Sequence, residues 1–117
     1  MTRTSFPPGF AEGLRRFAAG EYFEAHEAFE DCLDAVDDER WDLLVALIQV
    51  AVGYHKLASG HPGATRMLGL GHEKLVDLPY VAWGIDVRAI RQRVERDRDR
   101  PDADVLRDDP PRIALGG

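Results

Sequence analysis

The stretch Trp41-Asp-Leu-Leu-Val-Ala-Leu-Ile-Gln-Val-Ala-Val-Gly-Tyr-His-Lys56 decides the fold. It is apolar almost all round a helix. Only Asp42, Gln49 and Lys56, seven residues apart, form a polar line along it. So narrow a wet face predicts a helix over residues 39–58 at the centre of a bundle. The longest apolar run, residues 43–54, is broken by Gln49 and falls short of the about 20 residues that span a bilayer. No membrane segment is expected.

Toward the N-terminus, Phe10, Leu14 and Phe17 recur at helical spacing behind Pro7 and Pro8, and Gly20 follows as a helix stop. A second helix is expected over residues 22–36, with Tyr22, Ala25, Phe29, Cys32, Leu33 and Val36 as its stripe. The acidic run at residues 37–39 ends it, and Asp37 or Asp38 is placed to cap the central helix. On the other side, Ser59-Gly-His-Pro-Gly63 reads as a tight turn before a fourth helix over residues 63–76. Gly71 lies on that helix's inward stripe, where it allows close approach of a neighbour. Residues 77–84 are expected to be a loop whose aromatics, Tyr80 and Trp83, dock on the bundle. Asp86 caps a last helix that carries Val87, Ile90 and Val94 inward, ends near Asp99 and is stopped by Pro101. Its arginines and acids read as a solvated face. The tail, residues 101–117, is expected to be extended, with Ile113 and Leu115 packing back or fraying.

No period-two alternation appears. The fold class is therefore all-α: a compact bundle of about five helices in antiparallel hairpins, one domain over residues 1–117 with its core at about 7–99. Gly20 and Gly60 each precede a helix start by a few residues, an echo read as two helical hairpins rather than a repeat.

The chain has 117 residues, 21 acidic against 15 basic, and a net charge of −6. An acidic balance argues against nucleic-acid binding, which needs a basic stripe. The lone Cys32 cannot form an internal disulfide, and no secretory apolar run opens the sequence, so a cytoplasmic protein is expected. Cys32 lies on the apolar stripe and reads as an inert buried thiol. No nucleophile elbow, phosphate loop or dinucleotide fingerprint occurs.

Histidine and carboxylate remain. His26 lies about 70° from the centre of the second helix's stripe, inside the buried sector, with Glu30 one turn on at its edge. His55 falls in line with Trp41, Leu44, Ile48, Ala51 and Val52, a position read as buried. If the two histidines meet, His26, Glu30 and His55 make a His₂-carboxylate set that suits Zn, Fe or Mn. A buried His–Glu hydrogen bond without metal explains the same residues. His72 on a helix flank and His61 in a turn are weaker candidates, and Tyr54 and Gln49 are possible supporting donors. A protein partner or a homodimer through the Arg-rich last helix is a further possibility. Metal-assisted hydrolysis is the conservative reaction class for such a set. The alternative is a helical-hairpin interaction module in which the pair is structural.

The run Phe17-Ala-Ala-Gly20-Glu-Tyr-Phe-Glu-Ala-His26-Glu-Ala-Phe-Glu30 resembles the small helical family catalogued as domain of unknown function 309. Leu47-Ile-Gln-Val-Ala-Val-Gly-Tyr-His55, Gly84-Ile-Asp86 and the closing Pro111-Arg-Ile-Ala-Leu115 are similar to further segments of it. The resemblance implies a compact helical bundle. It also implies a His-x-x-x-Glu-x-x-aromatic motif suggested to bind metal, which falls on His26 and Glu30. The aromatic position is Leu33 here, a departure from that pattern.

Overall fold

A computed structural model describes residues 6–116. The readings placed on Met1 to Ser5 and on Gly117 lie outside the described residues. Among the described residues six α-helices follow one another: α1 (Pro8–Ala18), α2 (Tyr22–Glu30), α3 (Arg40–Ala58), α4 (Ala64–Val76), α5 (Val87–Asp99) and α6 (Ala103–Asp108). A 3-10 turn, Leu33–Ala35, precedes α3, and a two-stranded hairpin, β1 (Val81–Ala82) and β2 (Ile85–Asp86), precedes α5. The architecture is the expected helical one, with α3 packed between α2 and α4.

Both hairpin turns close in the same way. After α1 the amide of Glu21 reaches back to the Arg16 carbonyl at 2.9 Å, and after α3 that of His61 reaches Lys56 at 2.8 Å. Each closure runs through a glycine in the left-handed region, Gly20 at φ 81° and Gly60 at φ 72°. The echo between these segments is thus a repeated helix stop.

Small residues set how α3 meets α4. A Cβ on Gly71 would come within 2.7 Å of Val50 Cγ2, and one on Gly53 within 2.7 Å of Leu68 Cδ2 and 3.0 Å of the Leu68 amide. The two helices therefore touch backbone to side chain at that crossing. The cost of glycine in a helix, about 1 kcal/mol each, is offset by this contact.

Four expectations are corrected. The second helix stops at Glu30, not Val36, and the chain continues as the 3-10 turn. Its last turn carries no basic residue, and Glu27, Glu30, Asp31 and Asp34 oppose the negative end of the helix dipole. Cys32 and Val36 stay in the core through the turn. Residues 77–84 are not all loop, because Trp83-Gly84, both at positive φ, turn β1 back onto β2. Trp83 packs against the core, and Tyr80, although exposed, docks on α5 under Arg88 and Arg91, 5.0 and 5.2 Å from its ring. The tail is not simply extended. Asp102 accepts hydrogen bonds from the amides of Asp104 and Val105, starts α6, and lets Leu106 enter the core. Beyond α6, Leu115 bridges Ile85, and Asp86 donates its amide to the Ala114 carbonyl at 2.9 Å. Ile113 packs on the core, but the Leu115 side chain is exposed.

The capping expectations hold in function. Asp86 accepts from the Ala89 amide at 3.0 Å. Asp38 accepts from the Arg40 amide at 3.0 Å, one residue ahead of the assigned cap of α3. Arg40 beside it holds the Asp38 carboxyl below its usual range. Among the described residues no helix is long and apolar enough to cross a membrane.

Candidate functional site

On α2, the buried stripe is Tyr22, Ala25 and Phe29. His26 flanks it and keeps 14% of its side-chain surface, while Glu30 keeps 54%. The imidazole Nδ1 lies 2.6 Å from the Phe23 carbonyl. A carbonyl can only accept, so Nδ1 carries a proton, and in the neutral ring Nε2 then holds the free lone pair. Nε2 faces Glu30 Oε1 at 3.7 Å, too long for a hydrogen bond. The pair is brought together, but at the edge of the stripe and not inside it. Four residues advance a helix by 40° beyond a full turn, which carries Glu30 into solvent.

His55 is exposed rather than buried. The buried residues of α3 centre on Leu47, Val50 and Tyr54, and His55 is turned about 100° from Tyr54. Trp41, in the same sector, is exposed as well. Hydropathy alone misplaces the sector because α3 is apolar on nearly every side. The glycine face toward α4 decides which side is inside. The Phe23 ring stands between the two histidines, 4.9 Å from the His26 ring and 5.3 Å from that of His55, centroid to centroid. Among the described residues no three His, Cys, Asp or Glu side chains group so as to hold a metal ion.

The other candidates are placed as follows. Cys32 is buried, its Sγ lies 3.4 Å from the Ala28 carbonyl, and burial pushes the thiol up, so the inert reading stands. His61 accepts from the Gly63 amide at 2.9 Å and serves its turn. His72 lies between Arg98 at 3.4 Å and Glu95 at 3.8 Å, and burial, then Arg98, lowers its pKa. Gln49 Oε1 is enclosed with no partner among the described residues.

One polar centre escaped the sequence reading. Asp97 is 4% exposed. Its Oδ2 accepts from the Tyr54 hydroxyl and from Arg93 Nε, both at 2.7 Å. Arg93 in turn donates to the Asp109 carbonyl, tying α5 to the end of α6. Burial, then the bond to Asp97, pushes the Tyr54 phenol far above its ordinary range. Position 97 continues the 87, 90, 94 stripe by one more step, which was the available signal. Tyr54 therefore supports Asp97, not the histidines.

Residues 10–68, just over half of the chain, match the family model described as Domain of unknown function (DUF309). No curated protein matches the sequence.

Proposed function

The chain belongs to the DUF309 family, and from that premise we propose that His26 and Glu30 form a surface site for a divalent cation. The observation that carries the reading is the anchored imidazole: Nδ1 is held by the Phe23 carbonyl and Nε2 is left facing the Glu30 carboxylate at 3.7 Å. A ring fixed through its second nitrogen is the usual support of a metal-binding histidine. Two donors each about 2.1 Å from one ion at a tetrahedral angle lie about 3.4 Å apart, so a small side-chain movement suffices. Two protein ligands make a weak, exchangeable site. An ion held there would supply Lewis-acid character for hydrolysis. His55 joins the set only if the Phe23 ring swings aside.

Titration calorimetry of the tag-free protein with zinc and manganese chloride tests this. A saturable one-to-one heat is expected, lost in His26→Ala and weakened in Glu30→Gln. Equal heats in both variants and the parent protein would sink it. His55→Ala decides whether the second histidine belongs. A second reading, an interaction module built on helical hairpins, draws on Phe23, which is 45% exposed on the same face. It expects no metal-dependent difference between the parent protein and His26→Ala.

A further inference from the structure

Two surface patches of opposite sign border each other at β1. The first is concave. A cavity of about 430 Å³ opens between the start of α3, the end of α4 and β1, and the charged residues that line it are Glu39, Asp42 and Asp77. The second patch stands beside it on α5. Arg88 and Arg91 lie 5.0 and 5.2 Å from the centre of the Tyr80 ring, and the Arg88 amide donates to the Tyr80 carbonyl at 3.1 Å. The border is two consecutive residues: Val81 lines the acidic cavity, and Tyr80 carries the arginines. Both are exposed, Val81 at 47% and Tyr80 at 53%.

The chain neutralises neither patch. Among the described residues Arg88 and Arg91 make no ion pair with a carboxylate, and Glu39, Asp42 and Asp77 make none with a base. Further along α5, Arg93, Arg96 and Arg98 each meet an aspartate. Acids outnumber bases 21 to 15, so the two free guanidiniums are not short of carboxylates in the sequence. Two like charges held over one ring repel each other and gain from an anionic neighbour.

We infer that this face joins two copies of the chain about a two-fold axis along the Tyr80–Val81 border, with Arg88 and Arg91 of each copy facing the acidic cavity of the other. A two-fold interface uses the same surface on both copies, so that surface must be complementary to itself. A patch of one sign fails this condition. Two adjoining patches of opposite sign meet it, because the rotation sets each against the other. Tyr80 and Val81 then meet at the centre, an apolar middle inside a charged rim. A purely acidic or purely basic partner would use one patch and leave the other unpaired. The face contains none of His26, Glu30 and His55, so it is independent of the cation site.

The test is sedimentation of the full chain without a tag, in EDTA so that no metal bridges copies, from about 10 μM to about 1 mM, the range of weak complexes. A monomer–dimer equilibrium is expected. Arg88→Glu with Arg91→Glu should weaken it at least about tenfold, and so should Asp42→Lys with Asp77→Lys, because each pair of changes sets like charges face to face. The deciding arm is an equimolar mixture of the two variants. Opposite charges then meet again at both contacts, so the mixture should associate about as tightly as the parent chain although neither variant does so alone. If a double variant fails to fold, Arg88→Glu alone carries the test, since an acid suits the first turn of α5. A parent chain that stays monomeric throughout would overturn the inference and leave the face to a partner of different sequence. Association unchanged by the charge reversals, or not restored by mixing, would overturn it as well.

Discussion

On α5, Arg93 and Asp97 are four residues apart and meet at 2.7 Å, with Asp97 buried, its Oδ2 also accepting from the Tyr54 hydroxyl and its Oδ1 facing Arg96 Nε at 3.5 Å. On α2, His26 and Glu30 have the same spacing and stop at 3.7 Å, with the carboxylate in solvent. Identical spacing thus yields opposite chemistry. The difference is the angle each carboxylate makes with its helix's buried stripe. Asp97 continues the stripe of Val87, Ile90 and Val94, whereas Glu30 is carried off the stripe of Tyr22, Ala25 and Phe29. A buried carboxylate finds its partners among protein donors. An open one keeps capacity for something else. The α5 pair is structure, and the α2 pair is available.

The sharpest way to break this contrast is Asp97→Ala. It leaves Arg93 with no carboxylate at 2.7 Å and Tyr54 with an unmatched hydroxyl, both inside the bundle. Breaking a buried pair in this way costs about 3–5 kcal/mol. Urea unfolding should show a midpoint far below that of the parent protein, with α6 loosened because Arg93 also holds the Asp109 carbonyl. A change below about 1 kcal/mol, the range of surface pairs, would place Asp97 with the surface carboxylates and dissolve the comparison.

Tyr54→Phe removes only one donor to a charged acceptor, so the expected loss is smaller, about 1.5–3 kcal/mol. The same centre governs alkaline behaviour. Burial pushes Tyr22 up to about 12, and burial with the bond to Asp97 pushes Tyr54 up further, against an ordinary 10.0. The folded protein therefore holds phenolic protons that the unfolded chain releases. Stability is fully present below pH 10 and falls as pH rises through about 12. Denaturation midpoints measured from pH 9 upward should decline, and less steeply in Tyr54→Phe. A flat profile over that range would contradict the burial of the two phenols.

The readable parts of this fold were those written in local chemistry. Pro8, Gly20, Gly60, Asp86 and Pro101 each mark a helix end by what their own backbone or side chain can do. The misread parts depend on partners distant in sequence. α6 exists because Leu106 finds the core, and the tail turns because the Ala114 carbonyl accepts from Asp86. The candidate site divides in the same way. His26 and Glu30 follow from spacing along one helix, so their proximity was legible. The placement of His55 depends on which side of α3 faces α4. Gly53 and Gly71 settle that by steric contact with Leu68 and Val50, a relation that hydropathy does not encode. Asp97 was hidden by its arginine neighbours, although its step from Val94 set it on the inner face.

The smallest expected effects belong to α2, and their smallness is the test. His26→Ala removes one hydrogen bond to the Phe23 carbonyl and the ring contact with Phe23, so about 1 kcal/mol is expected. Glu30→Gln keeps the size of a side chain that is 54% exposed and makes no hydrogen bond to His26. It should shift stability by no more than about 0.5 kcal/mol in either direction. Paired unfolding curves with and without zinc separate the two roles that a charged pair can have. If Glu30 only props up the helix, the variant loses stability equally in both conditions. If Glu30 is a ligand, the metal-free curves overlay and only the zinc-dependent stabilisation shrinks, because an ion that binds the folded state raises its stability with the logarithm of its affinity. A loss of several kcal/mol in the absence of metal would mean that the α2 pair is as structural as its α5 counterpart.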